Sequence, residues 1–365
     1  MKILIACGGT GGHIFPGLSL AKELDGREGV DDLILVGSNH PLEKKIFSKT
    51  GLHYELIAAA KFSRGPFKFL LFLAKFALAC AKSIYLLLRF NPDIVVGFGG
   101  YASFPVCFFA PIMGKKLFLH EQNRVAGLAN RILSVMARGV AVSFRDTQTV
   151  FKNKGVFTGN PIRKSILFFK KEESLKSLGL NSGKFTILVM GGSQGSLGIN
   201  NVVAEFLRLL PDSDKMAFQI IHIAGNRDFE NISAKYKDSL IDSKVFGFVD
   251  EIGPAYAAAD LIVSRAGATA LFEIAALGIP SIMIPYRYAG GHQYYNAEAL
   301  EKAGGAAILK EEALTAAALR DKISELRDDK ARLKRMSECA KKFAVTDAAA
   351  RLADYVMGGC SKTKN

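Results

Sequence analysis

Cys7-Gly8-Gly9-Thr10-Gly11-Gly12 runs directly into His13, and a histidine that closes such a run is placed to move a proton. Glycine-rich loops bare their backbone N–H groups and open onto helix N-termini, so they favour phosphate and other anions. An imidazole titrating near pH 6.5 suits general base work or phosphate contact at neutral pH. The plainer alternative for His13 is backbone satisfaction at a helix start. Three further loops have the same character. Gly97-Phe98-Gly99-Gly100-Tyr101 is the second, and Gly191-Gly192-Ser193-Gln194-Gly195 adds a hydroxyl. Ser264-Arg265-Ala266-Gly267-Ala268-Thr269 leads into a helical Ala270–Leu277 stretch, with Glu273 one turn inside. A carboxylate there either complements the helix dipole or accepts hydrogen bonds from a sugar diol.

Two common phosphate-binding patterns fail. GxGxxG needs a third glycine where Ile14 stands, and GxxxxGK[ST] needs a lysine where Leu18 follows Gly17. Neither a nicotinamide enzyme nor an ATPase is supported. Asp212-Ser213-Asp214 spells the DxD of metal-dependent sugar transferases, but it follows Leu209-Leu210-Pro211 and reads as a solvated turn. The six histidines lack metal-ligand spacing and the five cysteines form no CxxC, so no metal, no cofactor and no disulfide framework are expected.

Elements that could carry these loops alternate along the chain. Strands are predicted at Lys2–Ala6, Leu33–Val36, Ile94–Gly97, Leu117–His120 and Val140–Val142. A second series falls at Phe185–Met190, Phe218–Ile223, Val245–Phe248, Leu261–Val263 and Ser281–Ile284. Near-continuous apolar strands separated by helices imply parallel sheets covered on both faces. Each series opens with a strand running into a glycine loop, so the fold class is α/β with two doubly wound domains. The boundary is placed in Gly159-Asn160-Pro161-Ile162-Arg163 or the charged stretch that follows it. In 365 residues two domains are what the length leads one to expect, and 49% hydrophobic residues rule out a mainly disordered chain.

The net charge of +14 attracts nucleic acid, anionic lipid or phosphorylated small molecules. Its placement favours lipid. From Leu56 to Pro92 there is no Asp or Glu, and apart from Arg64 the cations recur at Lys61, Lys68, Lys75, Lys82 and Arg89, every seventh position. Seven residues are nearly two helical turns, so cations sharing one continuous helix line one stripe of an otherwise greasy helix. Spanning a bilayer would bury Lys75 and Lys82 at ~2.5–3.5 kcal/mol each, so an interfacial helix is the better reading. A core helix with one wet edge is the bland one. No signal peptide is expected from the opening strand.

Taken together, the motifs resemble those of the MurG family of peripheral membrane glycosyltransferases. The resemblance rests on Gly8–Gly17, on Gly99-Gly100-Tyr101, on His120-Glu121-Gln122-Asn123 with Ala126-Gly127-Leu128, and on Gly159–Arg163. It continues through Gly191–Gly195, Ser264–Ala268 with Glu273, and His292-Gln293-Tyr294-Tyr295-Asn296-Ala297, in family order over nearly the whole chain. The resemblance implies two Rossmann-like domains facing across a cleft, the GT-B arrangement. It implies an N-terminal acceptor and membrane domain at 1–162, a donor domain at 163–345, and a last helix at 346–357 crossing back. The donor would be UDP-N-acetylglucosamine and the acceptor lipid I, with Gly99, Gly100 and Tyr101 on the acceptor side. Ala268, Thr269, Ala270, Leu271, Phe272 and Glu273 would wrap the nucleotide, Glu273 taking the ribose hydroxyls. Ser193 would meet the diphosphate, the Val249 backbone the uracil edge and Gln293 the donor sugar. Thr10, Gly11, Gly12, Asn123 and Arg163 also match donor-site positions. His292 and the 286–291 stretch depart from the family's usual form beside the donor sugar.

The implied reaction inverts the sugar carbon in one displacement. His13 is the preferred base and Glu121, beside His120 at a strand end, the competing one. Arg163 and helix N-termini near Ser193 and Gly267 would stabilise the leaving diphosphate. Phe67, Leu70 and Phe72 would insert into an anionic membrane on its cytoplasmic face while Lys68, Lys75 and Lys82 meet head groups. A UDP-N-acetylglucosamine 2-epimerase or another lipid-directed transferase of the same fold is the nearest rival, and no nucleic acid partner is expected.

Overall fold

The structure, a computed structural model, describes residues 1–58, 66–192, 194–237, 239–288 and 291–358. It divides into two compact units, Met1–Ile162 with Thr346–Asn365, and Arg163–Val345.

The first unit carries strands β1 (Lys2–Ala6), β2 (Asp32–Ser38), β3 (Tyr54–Ile57), β4 (Ile94–Gly97), β5 (Lys116–Glu121), β6 (Gly139–Val142) and β7 (Gly155–Phe157). Its helices are α1 (Gly11–Leu24), α2 (Pro41–Ser48), α3 (Pro66–Phe90), α4 (Ser103–Ile112) and α5 (Leu128–Leu133). The seven strands form one parallel sheet in the order β3-β2-β1-β4-β5-β6-β7. Successive strand residues face opposite sides. Ile3, Ile5, Leu33, Leu35, Ile94 and Val96 pack under α1, while Leu4, Ala6, Ile34, Val36 and Val95 pack under α3 and α4. Burial on both faces is why these strands are almost purely apolar.

The second unit carries α6 (Lys171–Ser177), β8 (Phe185–Met190), α7 (Leu197–Leu209), α8 (Asp212–Ala217), β9 (Phe218–Ile223) and α9 (Phe229–Lys237). It continues through β10 (Asp242–Phe246), α10 (Gly253–Ala258), β11 (Leu261–Ser264), α11 (Ala268–Leu277), β12 (Ser281–Met283), α12 (His292–Lys302) and β13 (Ala306–Ile308), then α13 (Ala316–Asp328) and α14 (Lys330–Phe343). The parallel order is β10-β9-β8-β11-β12-β13. A final helix, α15 (Ala348–Val356), belongs to the first unit. Leu352, Ala353 and Val356 complete the core under α1, and Tyr355 meets the Phe118 ring edge-on.

Both sheets therefore have the α/β doubly wound order, and each reverses direction beside its first strand. Three short strands are absent from the sequence reading. β3 carries Glu55 in its middle, β7 is three residues long, and Ala306-Ala307-Ile308 has no β-branched run. The Asp212-Ser213-Asp214 stretch is corrected from a turn to the first turn of α8, where Pro211 precedes the helix and two carboxylates complement its dipole. Asp212 pairs with Lys215 and Asp214 with Arg327.

Candidate active site

In an open parallel sheet, ligands bind outside the carboxyl ends of the strands, where the strand order reverses. In the first unit that point lies between β1 and β4. The loop after β1 leads to Gly11 and Gly12 at the start of α1, with Thr10 exposed before them and His13 half-buried in the first turn. The loop after β4 lies against it. Gly99 and Gly100 hold φ of +85° and +87°, and a Cβ on Gly100 would stand 2.0 Å from the Gly8 carbonyl oxygen. Only glycine fits there. A Cβ on either glycine would stand 3.4 Å from the His13 ring, and Tyr101, 53% exposed, follows them. Beneath the loop, the buried Glu43 carboxylate accepts from Gly9 N–H at 2.7 Å, Ser38 N–H at 2.6 Å and the Ser38 hydroxyl at 2.5 Å.

β5 ends at Glu121, and the run His120-Glu121-Gln122-Asn123 crosses that end with its side chains falling into two pairs. Glu121 and Asn123 turn one way. Glu121 Oε1 accepts from Asn123 N–H at 2.9 Å and its Nδ2 at 3.4 Å, and Oε2 from Gly127 N–H at 3.0 Å and Asn130 Nδ2 at 2.8 Å. This carboxylate is 2% exposed and holds the 123–130 loop. His120 and Gln122 turn the other way, towards His13. Gln122 Oε1 lies 3.2 Å from His13 Nδ1, and Gln122 Nε2 donates to the Phe98 carbonyl at 2.8 Å. His120 Nε2 donates to the Gly159 carbonyl at 3.1 Å. Desolvation lowers the His13 pKa from its ordinary value, against the opposing pull of Glu121, the Phe98 carbonyl, Gln122 and Glu43. Burial takes His120 down to about 4.

In the second unit the reversal lies between β8 and β11. Ser193 falls outside the described residues. The adjoining Gly195 has φ +76°, and its Cβ would meet the Ala224 carbonyl oxygen at 2.0 Å. Arg265, after β11, reaches Ser196 Oγ at 2.9 Å, Glu311 Oε1 at 2.5 Å and the Ile284 carbonyl at 3.2 Å. Ala268, Thr269, Ala270, Leu271, Phe272 and Glu273 form the first turns of α11, all buried except the half-buried Ala270. Glu273 is 1% exposed and is not open. Arg163 donates to both of its oxygens at 2.7 Å, and the Tyr256 hydroxyl lies 3.3 Å away. Facing Glu273 raises the guanidinium pKa over the opposing cost of burial, which is the larger single effect on it. Val249 lies half-buried three residues beyond β10. Gln293, in the first turn of α12, accepts from Tyr286 N–H at 3.0 Å.

The basic helix gives a mixed result. In α3, Ser83, Leu86, Leu87 and Phe90 are buried, whereas Phe69, Leu70, Leu71, Leu73 and Leu78 are exposed, Leu70 and Leu78 by about two thirds. Residues Phe69–Phe90 are long and apolar enough to cross a membrane, and 22% of that window is buried. Phe72 stacks between Phe69 and Phe76. Lys75 is exposed, but Lys82 is paired with Glu55 of β3 at 2.9 Å, so it departs from the expected free stripe. Lys61 and the side chains of Phe67 and Lys68 lie outside the described residues.

Sequence reasoning passed over Gln122, His120, Glu43, Tyr256 and Arg265 as site residues. A period of two along β5 was the available signal for the first pair.

Two doubly wound units, each with glycine loops at its switch point, define a pair of Rossmann-like α/β domains. Residues 3–142 match the glycosyltransferase family 28 N-terminal domain and residues 186–352 its C-terminal domain. A relative from Halothermothrix orenii is 40% identical over 94% of this chain and 95% of its own length, and one from Geobacter sulfurreducens 39% identical over 99% and 100%. Both are named UDP-N-acetylglucosamine–N-acetylmuramyl-(pentapeptide) pyrophosphoryl-undecaprenol N-acetylglucosamine transferase. Acinetobacter baumannii MurG aligns with a TM-score of 0.74 and 26% identity, covering 98% of this chain and all of that one. A UDP-GlcNAc 2-epimerase from Neisseria meningitidis reaches the same TM-score at 12% identity, a likeness of fold alone. The chain belongs to glycosyltransferase family 28.

Proposed function

We propose that this enzyme transfers N-acetylglucosamine from UDP-N-acetylglucosamine to the 4-hydroxyl of the muramic acid sugar of lipid I, giving lipid II. The observation that carries the reading is the match at 39–40% identity over essentially the full chain to transferases of that name. The acceptor oxygen bonds to the anomeric carbon as the bond to the UDP phosphate oxygen breaks, inverting that carbon. The hydroxyl proton passes to His13, and the departing pair of electrons leaves on UDP.

His13 is favoured over Glu121 as the base. It is half-buried beside two glycine loops, and desolvation lowers its pKa from the ordinary value. Glu121 has four N–H groups on its two oxygens. A buried carboxylate so engaged is a loop fastener, and its lone pairs are not directed at a substrate. In the second unit the N-termini of α7 and α11 offer fixed dipoles to the diphosphate. Ser193, Val249, Ala268–Glu273 and Gln293 are the proposed donor contacts of the second unit, and Thr10, Gly11, Gly12 and Asn123 are the proposed substrate contacts of the first. Arg163 holds both oxygens of Glu273, and a ribose diol that competed for one of them would free guanidinium N–H groups for an anion.

The exposed first half of α3 is proposed to lie in the surface of an anionic membrane, on its cytoplasmic face. Leu70 and its neighbours would insert, with Lys75 contributing about 1 kcal/mol. Purified protein should release UDP from UDP-N-acetylglucosamine only when a lipid I analogue is present, with EDTA making no difference. Release without acceptor would overturn the transferase reading in favour of an epimerase or hydrolase.

A further inference from the structure

We propose that Gln122 is a positioning residue that fixes His13 as its Nδ1–H tautomer and so leaves Nε2 as the open proton acceptor. The inference rests on His13 being the base. Its logic follows from atoms that can only accept. The Phe98 and His120 carbonyls lie 2.8 Å and 3.2 Å from one end of the Gln122 amide, so that end is the NH₂ group. The other end is then the oxygen, and the ring atom 3.2 Å from it, His13 Nδ1, must carry the hydrogen. The neighbouring histidine enforces the same polarity. His120 Nε2 faces the Gly159 carbonyl at 3.1 Å and must donate, so His120 Nδ1 is bare and accepts from Gln122 Nε2 at 3.2 Å. Turning the amide over would place its oxygen against two carbonyls and a bare ring nitrogen.

The network is rigid enough to hold this choice. His120 is 0% and Gln122 2% exposed, and Gly99 and Gly100 confine the His13 ring. The His13 ring hydrogen bond with ordinary geometry among the described residues is the one at Nδ1, and the Phe98 carbonyl also acts on the ring. An amide differs from a carboxylate in this role. It orients the ring and selects the tautomer without adding a charge that would hold the imidazolium. The charged or titratable groups near enough to act on His13 are Glu121 and Glu43 through their charge, with His120 beyond Gln122.

The test uses full-length protein with ¹⁵N-labelled histidine and, separately, turnover with a lipid I analogue across pH. In the unsubstituted protein above pH 7, the His13 nitrogen shifts should report a protonated Nδ1 and a bare Nε2. Gln122→Met should erase that bias and lower kcat by about tenfold or more, within the ~10²–10⁴ that a general base contributes. Gln122→Glu keeps an acceptor in place and adds a charge, so it should retain the tautomer and move the acid limb of the kcat profile up by about one unit or more. A purely structural Gln122 would not move that limb. The inference is overturned if unsubstituted His13 carries its hydrogen on Nε2. It is equally overturned if Gln122→Met keeps full turnover, or if the limb of Gln122→Glu stays where it was. The nitrogen shifts do not depend on turnover, so they separate this inference from the base assignment, which His13→Ala tests.

Discussion

Glu121→Gln separates the two candidate bases because a fastener and a base fail in different ways. The carboxylate accepts four hydrogen bonds, two on each oxygen, while 2% exposed. A glutamine keeps one oxygen and turns an NH₂ group towards two N–H donors. Asn130 offers no easy repair, because the Nδ2 that donates to Glu121 also donates to the His120 carbonyl at 3.2 Å. Two bonds to a charged acceptor are lost at ~1.5–3 kcal/mol each, and opposed donors add to that. A loss of about 3–6 kcal/mol or more is expected. At ~2–4 °C per kcal/mol for a unit of this size, calorimetry should show its melting temperature fall by about 6–24 °C. Turnover measured well below the melt should change by less than about tenfold, whereas removing a general base costs ~10²–10⁴. Unchanged melting with turnover down a hundredfold would refute the reasoning and make Glu121 the base.

His13→Ala should lower kcat by ~10²–10⁴ with little change in UDP-N-acetylglucosamine affinity by calorimetric titration. Arg163→Met should destabilise the chain by ~3–5 kcal/mol in urea titrations, since it leaves a carboxylate that is 1% exposed without its bidentate partner. His120 and His222 are both held at about 4 by burial, so the unfolded chain takes up their protons first as pH falls. Stability should therefore be full above about pH 6.5 and decline towards pH 4, with His222→Gln flattening part of the slope in denaturant titrations. On anionic vesicles, Lys75→Glu should weaken co-sedimentation more than Lys82→Ala, because Lys82 is already neutralised by Glu55. Glu55→Gln should strengthen it.

The sheets were legible because burial on both faces leaves little choice of residue. Strands with a neighbour on both sides read as largely apolar runs, as in Ile94-Val95-Val96 and Leu261-Ile262-Val263. The strands that escaped notice have weaker demands on composition. β3 and β7 are sheet edges, and β13 is an alanine-rich edge of three residues. Edge strands are covered on fewer sides, so propensity and length carry less information there. The α8 stretch failed for a different reason. Asp212-Ser213-Asp214 is good turn chemistry, but the same residues stabilise a helix N-terminus once Pro211 sets the entry, and composition alone does not decide between them.

For the site, residue type was legible and partnership was not. His13 and the glycine loops stand out in one dimension because they are dense and unusual. Glu121 and Glu273 looked available because a sequence shows a carboxylate without the N–H groups that claim it. Arg163 lies 110 positions from Glu273, and Gln122 lies 109 from His13. Strand alternation does carry some of this information. From β5 onwards, residues two apart share a side, so His120 and Gln122 must fall together and Glu121 with Asn123. Which pair faces the glycine loops depends on the parallel register of β5 against β4, where Gly97 sits opposite Leu119. That register places the loop after β5 beside the loop after β4, and with it an amide against the histidine of the first loop. A run of four polar residues across a strand end thus divides into a pair that fastens the loop and a pair beside the histidine, by alternation together with strand register.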